Sequence, residues 1–376
     1  MNNKVIAIDI GNKTTKIVCG VASKKNIIVK EYAIIDTPTN SIKDGHIVNV
    51  DNLALNICDA LKSINIKSGN LVLNITGTSV ITREIQIPVS TDEEISQMLE
   101  FEAQQYFPVD LQNYTLDFKA LETISVGETM QTKVLLVAAP NKQIEEYIKL
   151  ARLLKLQLIA LDIPANCMLK FVRLNANVDD GEYAVINIGL ETTEVCIFNK
   201  ECLKFSRILL NGSADIDRLI ANSYNVSLSK AEDLKINYDS KAIKQDKVDS
   251  GSRSIEKAHE EVAVVSEIIN PLDSISELKF LDNTIDSALN NIVSDINRFI
   301  DFYNSRENSN HVAKLFICGG GSRLSGLTDY FATYFNLPVA YMPVSNQVVY
   351  KGKKSKNDFE RDYLQIVNAL GGLIRI

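Results

Sequence analysis

The sequence predicts an α/β protein whose two halves repeat one motif. Three observations predict it. Short apolar runs of strand length alternate with longer segments of helical periodicity. The stretch AIDIGNKTTKIV at residues 7 to 18 returns as VINIGLETTEVC at residues 185 to 196. A further apolar run ends in a triple glycine, KLFICGGGSRLSGL.

Strand-like runs fall at Val5 to Ile10, Leu71 to Thr76, Lys133 to Ala139, Ala184 to Ile188 and Lys314 to Cys318. Helical periodicity falls at Leu53 to Ser63, Asn141 to Lys155 and Asp286 to Ser305. Ahead of the third strand, Thr91-Asp92-Glu93-Glu94 is a capping-box signature. It opens a helix with Ile95, Leu99 and Tyr106 on one side, and Pro108 stops it. NYTLDFKAL, residues 113 to 121, reads as another strand. Residues 239 to 261, DSKAIKQDKVDSGSRSIEKAHEE, are polar and read as an exposed insertion or long loop.

Composition narrows the function. A length of 376 residues predicts two or three domains, and 45% hydrophobic content suffices for full cores. Forty basic against 47 acidic residues leave a net charge of −7, which gives no global attraction to nucleic acid or anionic lipid, although local patches stay open. The six cysteines, without C-x-x-C spacing, read as reduced packing residues of a cytosolic protein. MNNKVIAIDIGN breaks its apolar run at Asp9, too early for a signal peptide or a membrane span, so direct membrane insertion is not expected.

The internal match is the main signal of organisation. At an offset of 178, Ile8, Ile10, Gly11, Thr14 and Thr15 recur as Ile186, Ile188, Gly189, Thr192 and Thr193. Lys13 and Lys16 become Glu191 and Glu194, and Asp9 becomes Asn187. Two buried strands can share apolar positions by chance. The retained glycine and hydroxyls, with charges inverted around them, favour a duplicated strand-turn-strand hairpin facing a common ligand. The chemistry suits phosphate: a glycine after a strand turns backbone N–H groups toward an anion, threonine hydroxyls donate further bonds, and a carboxylate at the strand end holds Mg²⁺ through water. No G-x-x-x-x-G-K-[ST] sequence occurs, and GGGSRLSG fails G-x-G-x-x-G at its last glycine. The triple glycine lets backbone pass flat against a nucleobase and ribose.

In the order hairpin, hairpin, then strand with a glycine cluster, the chain resembles the actin-like ATPase superfamily. Within it the chain resembles the PilM family of type IV pilus assembly. AIDIGNKTTKI matches the first phosphate loop, INIGLETTEV the second, KAEDLK (230 to 235) the ribose and adenine helix, FICGGGSRLSGL the adenosine loop and NALGGLIRI the closing helix. EFEAQQYFPVDLQNYTLDFKAL (100 to 121) resembles the small subdomain that PilM and FtsA carry in place of an actin subdomain, and it separates these families from the rest.

The resemblance implies a two-lobed actin-like, ribonuclease H-like fold. Its parts are a first lobe at 1–85, an inserted subdomain at 86–160, a connection at 161–180, a second lobe at 181–365 with an insertion around 211–310, and a closing helix at 366–376. It also implies ATP and Mg²⁺ between the lobes. Asp9, Gly11, Asn12, Lys13, Thr14 and Lys16 form the first loop, with Asp9 holding the metal's water shell. Asn187, Gly189, Thr192 and Thr193 form the second, Glu232 and Lys235 reach the ribose and base, and Gly319, Gly320, Gly321 and Arg323 the adenosine. Superfamily members that hydrolyse ATP generally keep an acid where this chain has Asn187. An amide accepts no proton and binds Mg²⁺ weakly, so the expectation is a nucleotide-responsive scaffold, at most a slow ATPase.

For partners, the resemblance implies a groove between the inserted subdomain and the first that takes the N-terminal cytoplasmic peptide of a PilN-like inner-membrane protein. Leu99, Phe101, Tyr106 and Phe107 are the candidate contacts, although their pattern is equally that of a core. A pilus motor ATPase is a second candidate partner, and the expected location is the cytoplasmic face of the inner membrane, reached through the partner. Two alternatives remain at this stage. One is an FtsA-like filament or division protein, though FtsA-type chains carry a C-terminal amphipathic helix and this sequence ends ALGGLIRI. The other is a small-molecule kinase of the same fold, for which Asp215 and Asp217 are the candidate acids.

Overall fold

A computed structural model describes residues 4–23, 25–127, 129–175, 181–199, 202–240, 274–306 and 311–375. In chain order the elements are β1 (Val5–Ile10), β2 (Thr14–Ala22), β3 (Ile27–Asp36), β4 (Ile42–Lys43), β5 (His46–Ile47), α1 (Val50–Ser63), β6 (Asn70–Asn74), β7 (Ile81–Pro88) and α2 (Asp92–Glu102). There follow β8 (Tyr114–Val126), β9 (Thr129–Pro140), α3 (Asn141–Leu154), β10 (Gln157–Asp162), α4 (Pro164–Asn175), β11 (Glu182–Ile188), β12 (Thr193–Asn199) and β13 (Cys202–Leu209). The remainder are α5 (Ser213–Tyr224), α6 (Leu228–Ile236), α7 (Ser274–Arg306), β14 (Val312–Cys318), α8 (Leu327–Phe335), β15 (Val339–Tyr341), β16 (Val348–Tyr350), α9 (Lys356–Asp362) and α10 (Val367–Gly372). The chain divides into two compact units, Met1–Val185 with Cys196–Ile208 and Met342–Ile376, and Ile186–Val195 with Leu209–Tyr341.

The first unit is built on a six-stranded sheet of order β10-β6-β1-β2-β3-β16. Its centre is β1, whose six residues are all buried, as an apolar run covered on both faces should be. β6 and β10 run parallel to β1, whereas β2 is antiparallel to both of its neighbours, β1 and β3. The register sets Asp9 opposite Asn74 and Asn74 opposite Asp162, so three polar residues lie side by side at the C-terminal ends of three neighbouring strands. The closing helix α10 is wholly buried against α4 and β1. Gly371 is required there, because a β-carbon would stand 2.0 Å from the Cys167 carbonyl oxygen.

A three-stranded sheet of order β7-β9-β8 with α2 makes the small subdomain. Thr91 caps α2 by accepting from the Glu94 N–H, while the Glu94 carboxylate accepts from the Thr91 N–H at 2.7 Å, so the predicted capping box forms. Ile95, Leu99, Ala103 and Phe107 then pack with Ile85, Ile87, Val134, Leu136 and Ala138. The strands begin at Ile81 and end at Pro140, whereas the expectation was 86–160. The helix α3 packs on α1, β5 and β10 instead, because Tyr147, Leu150, Ala151 and Leu154 line one face.

The second sheet has the order β13-β12-β11-β14-β15. Of the loop expected at 239–261, residues from 241 on lie outside the described residues. The helix expected at Asp286 to Ser305 is the latter part of the 33-residue α7. None of the six cysteines forms a disulfide among the described residues, and Cys19, Cys167, Cys196 and Cys318 are buried, in line with packing roles. Among the described residues no helix is long and apolar enough to cross a membrane.

Candidate functional site: two matching hairpin turns

The repeated phrase folds into the same object twice. β1 and β2 form a hairpin whose turn closes through Gly11 N–H donating to the Thr14 carbonyl at 3.1 Å. Between β11 and β12, Gly189 N–H donates to the Thr192 carbonyl at 2.9 Å. The threonine after each, Thr15 or Thr193, is fully buried. Both glycines are tight: a β-carbon on Gly189 would stand 2.8 Å from the Thr192 carbonyl oxygen, and one on Gly11 would meet the same oxygen of Thr14 at 3.1 Å.

In the first turn the Lys16 ammonium folds back over Gly11, where it would meet a β-carbon at 3.0 Å, and stands 4.0 Å from the Asp9 carboxylate. Asp9 is nearly buried, whereas Asn12 and Lys13 form the exposed tip. Two residues that sequence reasoning missed brace this turn. Thr37 donates its hydroxyl to the Gly11 carbonyl at 2.8 Å and its N–H to the Lys13 carbonyl at 2.8 Å. Beyond Asp9, buried Asn74 accepts from the Cys167 thiol at 3.3 Å, and its amide nitrogen has no hydrogen-bond partner. No local pattern marks either residue; the register of the sheet selects them.

Asp162, the third strand end, was also missed. It accepts from Lys170 at 2.5 Å, Arg375 at 2.9 Å, Asn166 at 2.7 Å and the Ile163 N–H at 3.0 Å. Burial acts to raise its pKa, but Lys170, Asn166 and Arg375 outweigh burial and hold the carboxyl below its ordinary value. Asn166 in turn accepts from Lys119 of β8 at 2.8 Å, tying the small subdomain to α4.

In the second unit, Ser213 N–H donates to the Gly189 carbonyl at 3.0 Å, the service Thr37 gives to Gly11. Thr193 departs from expectation: its buried hydroxyl donates inward to the Asn211 carbonyl at 2.9 Å, so it braces the hairpin and is not turned to a ligand. Thr192 and Gly189 are half-buried, and Asn187 lies against the glycine cluster. Gly319 sits at φ +91°, and a β-carbon there would be 2.4 Å from both Asn187 Oδ1 and the Ile188 carbonyl oxygen. Gly321 would strike Ile188 Cγ2 at 2.4 Å. The triple glycine thus lets its turn lie flat on the end of β11, while Gly320 and Arg323 are exposed.

On α6, Glu232 is half-buried. Lys235 is another departure from expectation. Its ammonium pairs with buried Asp217 at 2.7 Å and donates to the Ser213 carbonyl at 3.2 Å, so its charge is used to join α6 to α5. Asp215 accepts from the Gly212 N–H at 2.8 Å and from Arg218 at 2.7 Å. Both acids considered for a kinase are therefore engaged in the fold.

The partner-binding candidates divide. Leu99 and Phe107 are 6% and 4% exposed in the subdomain core, which corrects the expectation that they meet a partner. Tyr106 is partly buried against that core, and only Phe101, at 85% exposure, stands in solvent.

Comparison with known proteins now bears on this geometry. A sequence profile of the family "Type IV pilus assembly protein PilM" matches residues 7–265. A profile of the cell division protein FtsA matches residues 184–353. FtsA of Streptococcus pneumoniae serotype 2 (strain D39 / NCTC 7466) is 23% identical over 365 residues, covering 91% of this chain and 75% of that protein. Among solved structures, the PilM-PilN type IV pilus biogenesis complex superposes with a TM-score of 0.78 at 20% identity, over 100% of both chains. The ethanolamine utilization protein EutJ of Carboxydothermus hydrogenoformans superposes at 0.53 with 12% identity, over 98% of this chain and 88% of that one. The fold is actin-like, and with a profile matching well over half its length the chain belongs to the PilM family of type IV pilus assembly proteins.

Proposed function

We propose that the chain is a nucleotide-binding scaffold of type IV pilus assembly that holds the cytoplasmic tail of a PilN-like membrane protein. The observation that carries the nucleotide part is the first turn: a glycine hairpin with a lysine ammonium folded over it and a nearly buried carboxylate 4.0 Å away. A cation over a backbone turn suits a phosphate, and the carboxylate beside it suits the hydrated Mg²⁺ that accompanies ATP. The residues fit such a group. No cluster of three metal-ligating side chains exists among the described residues, so Mg²⁺ would be held by Asp9 through water and by the phosphates themselves.

Support for the docking part is the family match and the likeness to a PilM-PilN complex. Phe101 is the most exposed large apolar side chain of the subdomain, ahead of Val89 and Met130, on a helix whose neighbouring aliphatics are already used. Asn187 at the second turn favours binding over rapid turnover, since an amide accepts no proton. Isothermal calorimetry with ATP·Mg²⁺ and pull-down with the tail of the PilN-like protein encoded by the same organism test the two parts separately. An FtsA-like, filament-forming role is the second reading, favoured by the FtsA profile match, and pelleting on addition of ATP would select it.

A further inference from the structure

The loop after β16, with the first residue of α9, reads Lys351-Gly352-Lys353-Lys354-Ser355-Lys356, four lysines in six residues in a chain of net charge −7. All four lysines are exposed. The loop is held from below. The Tyr350 ring stacks on Phe359 with centroids 4.8 Å apart, and both meet buried Tyr32 edge-on at 5.6 and 5.7 Å. The chain then crosses back over Tyr350. A β-carbon on Gly352 would stand 2.4 Å from the phenol oxygen, and Lys354 N–H donates to that oxygen at 3.0 Å. The Lys354 ammonium lies 4.3 Å from the centroid of the Tyr32 ring. Ser355 finally caps α9 by accepting from the Asp358 N–H at 3.1 Å.

The acids that follow are committed. Asp358 accepts from the Ser355 hydroxyl at 2.8 Å and pairs with Arg361 at 3.1 Å, and Asp362 accepts from the Tyr32 hydroxyl at 3.0 Å. Glu360 meets Lys356 at 3.4 Å in an exposed pair, which a stronger anion displaces at little cost.

We propose that this lysine loop is a contact site for an anionic phospholipid surface. Its cations are spread along a preorganised, exposed segment, so an array of lipid phosphates meets them without a large ordering cost. The aromatic rings lie beneath the loop, so it lacks the stacking platform that single-stranded nucleic acid uses. The inference rests on the docking reading in one respect: a protein held by a membrane protein's tail already stands within reach of that surface, and the two weak contacts reinforce one another through effective concentration.

The test uses the full chain with vesicles of phosphatidylcholine alone, or of phosphatidylcholine with phosphatidylglycerol, read by co-sedimentation at low and high salt. The expected result is binding to the anionic vesicles only, weakened by salt. The double variant K351S/K353S leaves the Lys354 contact in place, and it should lower partitioning by roughly fivefold per lysine with the thermal midpoint unchanged. Equal binding to neutral vesicles, no binding to anionic ones, or unchanged binding by the double variant overturns the proposal. So does loop-dependent binding of a single-stranded oligonucleotide without vesicle binding. Tail capture is measured on the same proteins without lipid. Intact capture with failed vesicle binding removes the lysine loop alone, and the reverse removes the docking reading alone.

Discussion

The side chain of Asn187 lies so close to Gly319 that a β-carbon on the glycine would stand 2.4 Å from the amide oxygen. The penultimate residue of β11, which takes the place of Asp9 in the repeat, is thus packed into the base of the glycine turn after β14.

Gly319→Ala should therefore destabilise the chain by about 2 kcal/mol, from the positive φ and the contacts with both Asn187 and the Ile188 backbone. Asn187→Ala should not restore stability, because the Ile188 carbonyl oxygen stands at the same 2.4 Å and cannot retreat. Urea unfolding of the two single variants and the double variant measures this, and full rescue would show that the amide alone makes the clash.

Nucleotide binding should appear as a thermal shift with ATP·Mg²⁺ that Asp9→Ala removes. Hydrolysis by the native chain should run below about 1 s⁻¹, the lower end of typical turnover numbers. Asn187→Asp should raise it, by supplying a proton acceptor at the second turn. Phosphate release assays decide the matter, and a native rate of tens per second would place the chemistry on another residue.

Asp162→Asn should cost about 3 kcal/mol by leaving Lys170 and Arg375 without their shared carboxylate. The folded carboxyl is held below its ordinary value of 3.8. Its contribution is therefore complete above the unfolded value and is lost as pH falls through the lower folded value. The gap in urea midpoint between native chain and variant should stay constant down to about pH 4 and close in stronger acid. A gap that closes already near neutral pH would contradict this assignment.

Phe101→Glu should leave the thermal midpoint within a degree or so, since exposed substitutions change stability little. It should weaken capture of the PilN-like tail by about tenfold or more, the loss expected of an apolar anchor. Leu99→Asp serves as the contrasting variant, because it buries a charge in the subdomain core and should unfold that core outright. Unchanged tail capture by Phe101→Glu would move the docking surface elsewhere.

Much of this protein was legible from sequence because its signals are local. The Gly11 and Gly189 turns each close over three residues, the Thr91 capping box spans the same distance, and the β1 run is apolar throughout. Such bonds form between neighbours in the chain and therefore leave a pattern in it. What tertiary structure alone decided is which of several equivalent side chains is buried, and against what. Leu99 and Phe107 entered the core while Phe101 remained outside, because burial depends on β7 and β9 closing over one face of α2. Lys235 went to Asp217 and Thr193 to Asn211, partners 18 residues distant in each case. Asn74 came to lie beside Asp9, and Asp162 beside Asn74, only because β6 pairs in parallel register with β1 and β10 with β6, and Arg375 reached Asp162 across 213 residues. No short-range pattern encodes those choices, since they are made by packing and desolvation once the sheet exists.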